Sequence, residues 1–128
     1  MDWRAAALAS AGIIGCGVAV VHGVLTQRLM VGPFERVAEG RMAAPIRRLV
    51  PMLLQFSTFN WFLGGLALIL AAVAFDRQAR LATALLVGAS YLFGAIGNAW
   101  GTRGRHPGWM LLAAALALMV YGVVGPGG

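Results

Sequence analysis

Lysine is absent from this chain, acidic residues number four, and cysteine occurs once. Each shortage excludes something. With 11% charged residues and 60% hydrophobic ones, the chain lacks the polar surface that a water-soluble domain needs. A single Cys16 excludes an intramolecular disulfide and a cysteine-based zinc cluster; it reads as a small packing residue. No Asp or Glu falls within an apolar run, which argues against proton-coupled antiport through a buried carboxylate. No Ser-His-Asp set, metal-type His/Glu spacing or glycine-rich phosphate loop is present, so no enzyme and no cofactor is expected.

What the chain does have is apolar length. Mean hydropathy is +0.81. Four apolar runs cover about 5–26, 49–75, 81–102 and 107–124. Each approximates the ~17–25 residues that cross a ~30 Å hydrocarbon core. The sequence therefore predicts one all-α domain, 1–128, a polytopic four-helix transmembrane bundle with short loops. Pro45, Pro51 and Pro107 are expected in opening turns, where a missing N–H is harmless. Trp3, Trp100, Trp109 and Tyr121 lie near span ends, as in an aromatic belt.

The net charge of +6 is carried by ten Arg. In a soluble protein this balance would suggest nucleic acid, but here the Arg sit at span ends and in loops, where anionic headgroups are the partner. Arg28, Arg36, Arg41, Arg47, Arg48, Arg103 and Arg105 share one side, and Arg4, Arg77 and Arg80 the other. Positive charge favours the cytoplasm, so both termini are expected outside, in the periplasm of a bacterial inner membrane. Arg28, Arg47, Arg48, Arg103, Arg105 and His106 are the candidate headgroup or anion contacts.

The segment Leu29–Ala44 is the one long loop. Pro33–Met42 within it has helical spacing, which fits a short interfacial helix; a plain polar loop fits as well. Ile13-Ile14-Gly15-Cys16 matches the loose form of a lipoprotein cleavage site, but the run stays apolar to Leu25 instead of becoming a polar tether. The ending Gly125–Gly128 is expected to be disordered.

Inside the membrane each polar side chain calls for an account. Ala11, Gly15, Ala19 and His22 share a helical face, so His22 should face protein. Counted inward from the Arg level, His22, Gln55 and Asn98 reach a similar depth in the cytoplasmic half, while Asn60 and Tyr91 lie deeper. This layer reads as interhelical glue, or as a small-ligand, proton or metal site centred on His22. His22 and His106 fall on one side of the membrane, but at different depths for bis-histidine haem. Gly97–Gly101 forms a small-xxx-small pair that reads as a packing contact.

Two elements resemble a group of small four-span bacterial membrane proteins of uncharacterised function. His22-Gly23-Val24-Leu25-Thr26-Gln27-Arg28 is similar to that group's His-x-x-Leu-x-x-Arg element, and Arg103-Gly104-Arg105-His106-Pro107-Gly108-Trp109 to its Arg-Gly-Arg-His-x-x-Trp element. Gln55–Trp61 resembles a stretch of its second span, although members tend to carry His where this chain has Gln55. The resemblance implies the topology and no activity. Phe56-Ser57-Thr58-Phe59 is similar to an element of small fluoride channels, but it lies in a different span without their glycines. The expected function is a non-enzymatic accessory or scaffold subunit, in a larger complex or a homo-oligomer. Alternatives are a transporter or channel with a path at His22, Gln55 and Asn98, and a lipid- or cofactor-binding protein.

Overall fold

A computed structural model describes residues 2–125. The expectation for Pro126, Gly127 and Gly128 lies outside the described residues. The described chain is helical almost throughout. Helix α1 runs Trp3–Thr26, α2 Gly32–Ala38, α3 Ala44–Ala74, α4 Arg77–Gly101 and α5 Gly108–Val124. Trp3–Ala38, Ala44–Ala74 and Arg77–Gly101 are long and apolar enough to cross a membrane, and α5 is a shorter apolar helix. Its 17 residues span about 26 Å at 1.5 Å per residue.

The caps follow from local sequence. The Asp2 carboxylate accepts from the Ala5 N–H at 2.7 Å, and Asp76 accepts from Ala79 at 2.9 Å. Both are N-cap acceptors that also meet the positive end of a helix dipole. At the opposite termini, Arg80 donates from Nε to the Ala71 carbonyl and from Nη2 to Ala72, each at 3.0 Å. Arg4 Nη2 donates to the Val123 carbonyl. Two of the three Arg at this end thus close the last turns of α3 and α5, where helix carbonyls run out of backbone donors; Ala71 O also accepts from the Phe75 N–H at 3.3 Å.

Two expectations are corrected. The segment from Leu29 is not a loop as far as Ala38, because a π turn at Gln27–Val31 joins α1 to α2 without a break. In that turn the Gly32 N–H reaches Gln27 O, five residues back. The wider turn lets the helix pass Pro33, which has no N–H to give and a ring that a regular turn would crowd. Only the stretch 39–43 breaks the path, with Gly40 at φ +70°. Pro51 is likewise not in an opening turn. It sits inside α3, because that helix begins at Ala44 with Pro45 in its first turn.

Helix α1 packs against α3 and α5, and α4 packs against the same two, giving a four-helix ring. Small residues set its tightness. A Cβ added to Gly12 would lie 2.5 Å from the Gly65 carbonyl, and one on Gly65 would lie 2.6 Å from Cys16 Sγ. The α1 and α3 backbones therefore meet at Gly12 and Gly65, a close approach of the small-residue kind. Leu8, Ala11, Ala19, Leu68, Ala71, Tyr91, Leu112 and Ala115 are fully enclosed. The Gly97 and Gly101 pair makes no such contact. Both face outward, with nothing near their Cα atoms for a side chain to meet.

Candidate functional site

The polar residues separate into three groups. The first surrounds His22. Its Nε2 lies 3.0 Å from Ser57 Oγ and 3.3 Å from Thr26 Oγ1. Its ring also lies against the Trp61 indole, with centroids 4.7 Å apart and planes at 53°. One side chain of α1 therefore joins two residues of α3. Ala11, Gly15 and Ala19, on the same face, are buried, and His22 is half-buried.

The second group is Gln55 with its neighbours. Gln55 Nε2 donates to the Gly23 carbonyl at 3.1 Å and to Gln27 Oε1 at 3.3 Å, and its Oε1 accepts from Thr58 Oγ1 at 2.9 Å. The first two bonds fasten α3 to the end of α1 and to the π turn that follows it, and the third lies within α3. Gln55 does not meet His22 or Asn98.

Asn60 forms the third group, on a different face. Its Nδ2 donates to Ser90 Oγ at 2.6 Å across the α3–α4 seam. The pair lies in a groove of about 220 Å³ lined also by Leu63, Gly64, Ala67, Leu86 and Val87. Asn60 is exposed there, near the middle of the 31-residue α3.

Tyr91 stands under the first group. It is fully enclosed, and its hydroxyl donates to the Trp61 carbonyl at 3.1 Å. The phenol reaches across the ring to α1, into the space beside Gly15. Trp61 and Tyr91 together fill the bundle below His22.

Asn98 and His106 line a cavity that His22 also borders. A half-open cavity of about 360 Å³ is lined by His22, Trp61, Asn98 and His106 with apolar neighbours from α1 and α5. Asn98 Nδ2 donates to the Gly94 carbonyl in its own helix at 2.9 Å. His106 Nδ1 accepts from the Gly108 N–H at 3.1 Å, so the imidazole caps the start of α5.

The Arg103–Trp109 element is a built turn. Gly104 N–H bonds Ala99 O at 2.7 Å and Arg103 N–H bonds Trp100 O at 3.2 Å, the paired bonds of a Schellman motif. Arg103 takes the left-handed position, with φ 52°. Trp109 Nε1 donates to Gly104 O at 3.1 Å. Arg28, Arg47, Arg48, Arg103 and Arg105 are all exposed at this end of the bundle, whereas His106 is half-buried.

Sequence reasoning had no place for Trp61, because tryptophan in a membrane helix is first read as interfacial. Trp3 and Trp100 do face outward, but Trp61 is only 5% exposed. Its position in mid-run, four residues after Ser57, was the available signal. Among the described residues no group of three or more His, Cys, Asp and Glu side chains stands ready for a metal ion. No family model, no curated protein and no solved structure matches the chain, so the functional reading rests on this geometry.

Proposed function

We propose that the chain is a small, non-enzymatic accessory subunit of a membrane complex, crossing a bacterial inner membrane four times. The α3–α4 groove is its docking face for a transmembrane helix of a larger partner. One observation carries the reading: Asn60 is exposed near the middle of α3. At that depth an outward-facing amide meets hydrocarbon, which offers it no hydrogen bond. Asn60 has one partner in Ser90 and further bonding capacity to give. Around it Gly64 and Ala67 carry little or no side chain, which leaves room for a second helix to come close.

The topology has its own support. One end carries seven Arg and two Glu, the other three Arg and two Asp. Arg4 and Arg80 at the second end are engaged with helix carbonyls. The free positive charge therefore concentrates at the first end, which belongs in the cytoplasm, with both termini in the periplasm. The exposed Arg there suit anionic headgroups. The resemblance of the His22–Arg28 and Arg103–Trp109 elements supports the bacterial assignment.

A transport path at His22, Gln55 and Asn98 has less support. Gln55 is turned to the α1 backbone, and Trp61 and Tyr91 fill the bundle below. The test is purification of tagged protein from its native membrane, for the natural chain and for Asn60→Leu. A stoichiometric partner with the first and its loss with the second, with the bundle equally stable, supports the reading. Recovery of a homo-oligomer alone would replace it with self-association, and a monomer with unaltered behaviour would overturn it.

A further inference from the structure

The cavity between α1 and α5 has a chemistry that the accessory reading does not use. It opens where exposed Gly17 and Val21 of α1 face exposed Leu111 of α5. At the far end the same two helices are in close contact, since a Cβ on Gly122 would lie 3.0 Å from the Arg4 carbonyl. The gap therefore belongs to the His22 end and opens sideways, toward the surrounding lipid.

Its inner end carries a few polar atoms with bonding capacity left. Trp61 is 5% exposed, lines this cavity, and its indole N–H has no hydrogen-bond partner among the described residues. That atom is not sealed in, since no buried side-chain nitrogen or oxygen lacks a partner. Trp61 borders this cavity, and the N–H is assigned to it. His22 bonds through Nε2 and keeps Nδ1 free; His106 bonds through Nδ1 and keeps Nε2 free. Asn98 gives its amide to Gly94 and keeps its oxygen free. No Arg, Asp or Glu lines the cavity. A site of apolar walls with the Trp61 N–H as its fixed donor and no Arg beside it selects an uncharged acceptor on an apolar body, because an anion would find no guanidinium to meet.

The geometry points to a binding site for an uncharged, carbonyl-bearing amphiphile, its carbonyl oxygen accepting from Trp61 Nε1 and its chain leaving between α1 and α5. A quinone ring and the ester of a neutral glyceride share this chemistry, and the test separates them.

Gly17 supplies the decisive variant. A Cβ at position 17 meets nothing within 4 Å and Gly17 lines the cavity, so Gly17→Leu should obstruct the mouth while leaving the bundle folded. The full chain, delipidated in detergent, is titrated separately with decylubiquinone, dioctanoylglycerol and decanoate, and binding is read as a saturable rise in melting temperature. Saturation with one of the two carbonyl probes identifies its source. Gly17→Leu should abolish that rise, and Trp61→Phe should weaken the affinity roughly fivefold, the worth of one hydrogen bond of about 1 kcal/mol. The site is overturned if neither carbonyl probe saturates, if decanoate binds as well as they do, or if Gly17→Leu binds like the natural chain. Should Gly17→Leu not fold, an affinity unchanged in Trp61→Phe has the same force. The titration uses purified chain, so its outcome does not depend on whether a partner docks at Asn60.

Discussion

The phenol of Tyr91 occupies the space that a side chain at position 15 would need: a Cβ built on Gly15 would overlap the Tyr91 hydroxyl and ring. This contact ties α4 to α1, which are otherwise diagonal across the ring. Gly15→Ala should destabilise the bundle by about 1–3 kcal/mol, the range for forcing extra volume into a packed core. Tyr91→Phe should cost about 1 kcal/mol through the lost bond to Trp61 O. Because the hydroxyl is also the nearest clashing atom, the double variant should cost less than the sum by more than about 0.5 kcal/mol. Unfolding in mixed micelles measures all three; strict additivity would contradict the contact.

His22 is bonded to Ser57 on the neighbouring helix. Hydrogen bonds between membrane helices average about 0.6 kcal/mol, so a His22→Ala and Ser57→Ala cycle should return a coupling of that order. His22→Ala alone should cost more, since it also removes the ring that lies against Trp61. If His22→Ala abolished a transport activity while assembly stayed normal, the accessory reading would yield to a transporter.

Arg80 closes the end of α3 with two hydrogen bonds to backbone carbonyls. Arg80→Ala should lower stability by about 1–2 kcal/mol, through lost charge-assisted bonds and a lost dipole interaction. The orientation should hold, because the seven Arg at the other end are untouched. Reporter fusions at the two termini check this: both should report the periplasm in the natural chain and in the variant.

Arg103 adopts a left-handed backbone that glycine adopts without strain. Arg103→Gly should therefore stabilise the isolated protein by about 1 kcal/mol. The same change should weaken the preference of the reconstituted protein for anionic over zwitterionic lipid at its surface, by about 1 kcal/mol for one basic residue. Competition between phosphatidylglycerol and phosphatidylcholine for the lipid shell, read with spin-labelled lipids in the natural chain and the variant, measures the second effect. An unchanged preference would remove Arg103 from the headgroup contacts.

Much of this architecture was legible in the sequence, and the missing parts have physical causes. The apolar runs are visible because a helix long and apolar enough to cross a hydrocarbon core needs an uninterrupted apolar stretch. The inward face of α1 was legible because Ala11, Gly15 and Ala19 are small at helical spacing. Other faces were not. In lipid the outer surface is as apolar as the inner one, so the periodicity that marks a core face in water is absent. That is why Asn60 could be assigned a depth but not a direction. It is also why Gly97 and Gly101, small and correctly spaced, look like a contact within the bundle and make none there. The helix past Thr26 was hidden by Pro33, which reads as a breaker unless a π turn precedes it. Gln55 was grouped with His22 by depth alone, whereas its carboxamide is turned to the backbone at Gly23.

The central claim is that the groove beside Asn60 holds a partner helix. A photo-crosslinking residue at Leu63, within the groove, tests it in native membranes, with Phe93 on an exposed face as the control. A single protein adduct from position 63, absent from position 93 and lost with Asn60→Leu, is the result this account predicts. Lipid adducts alone from both positions would contradict it.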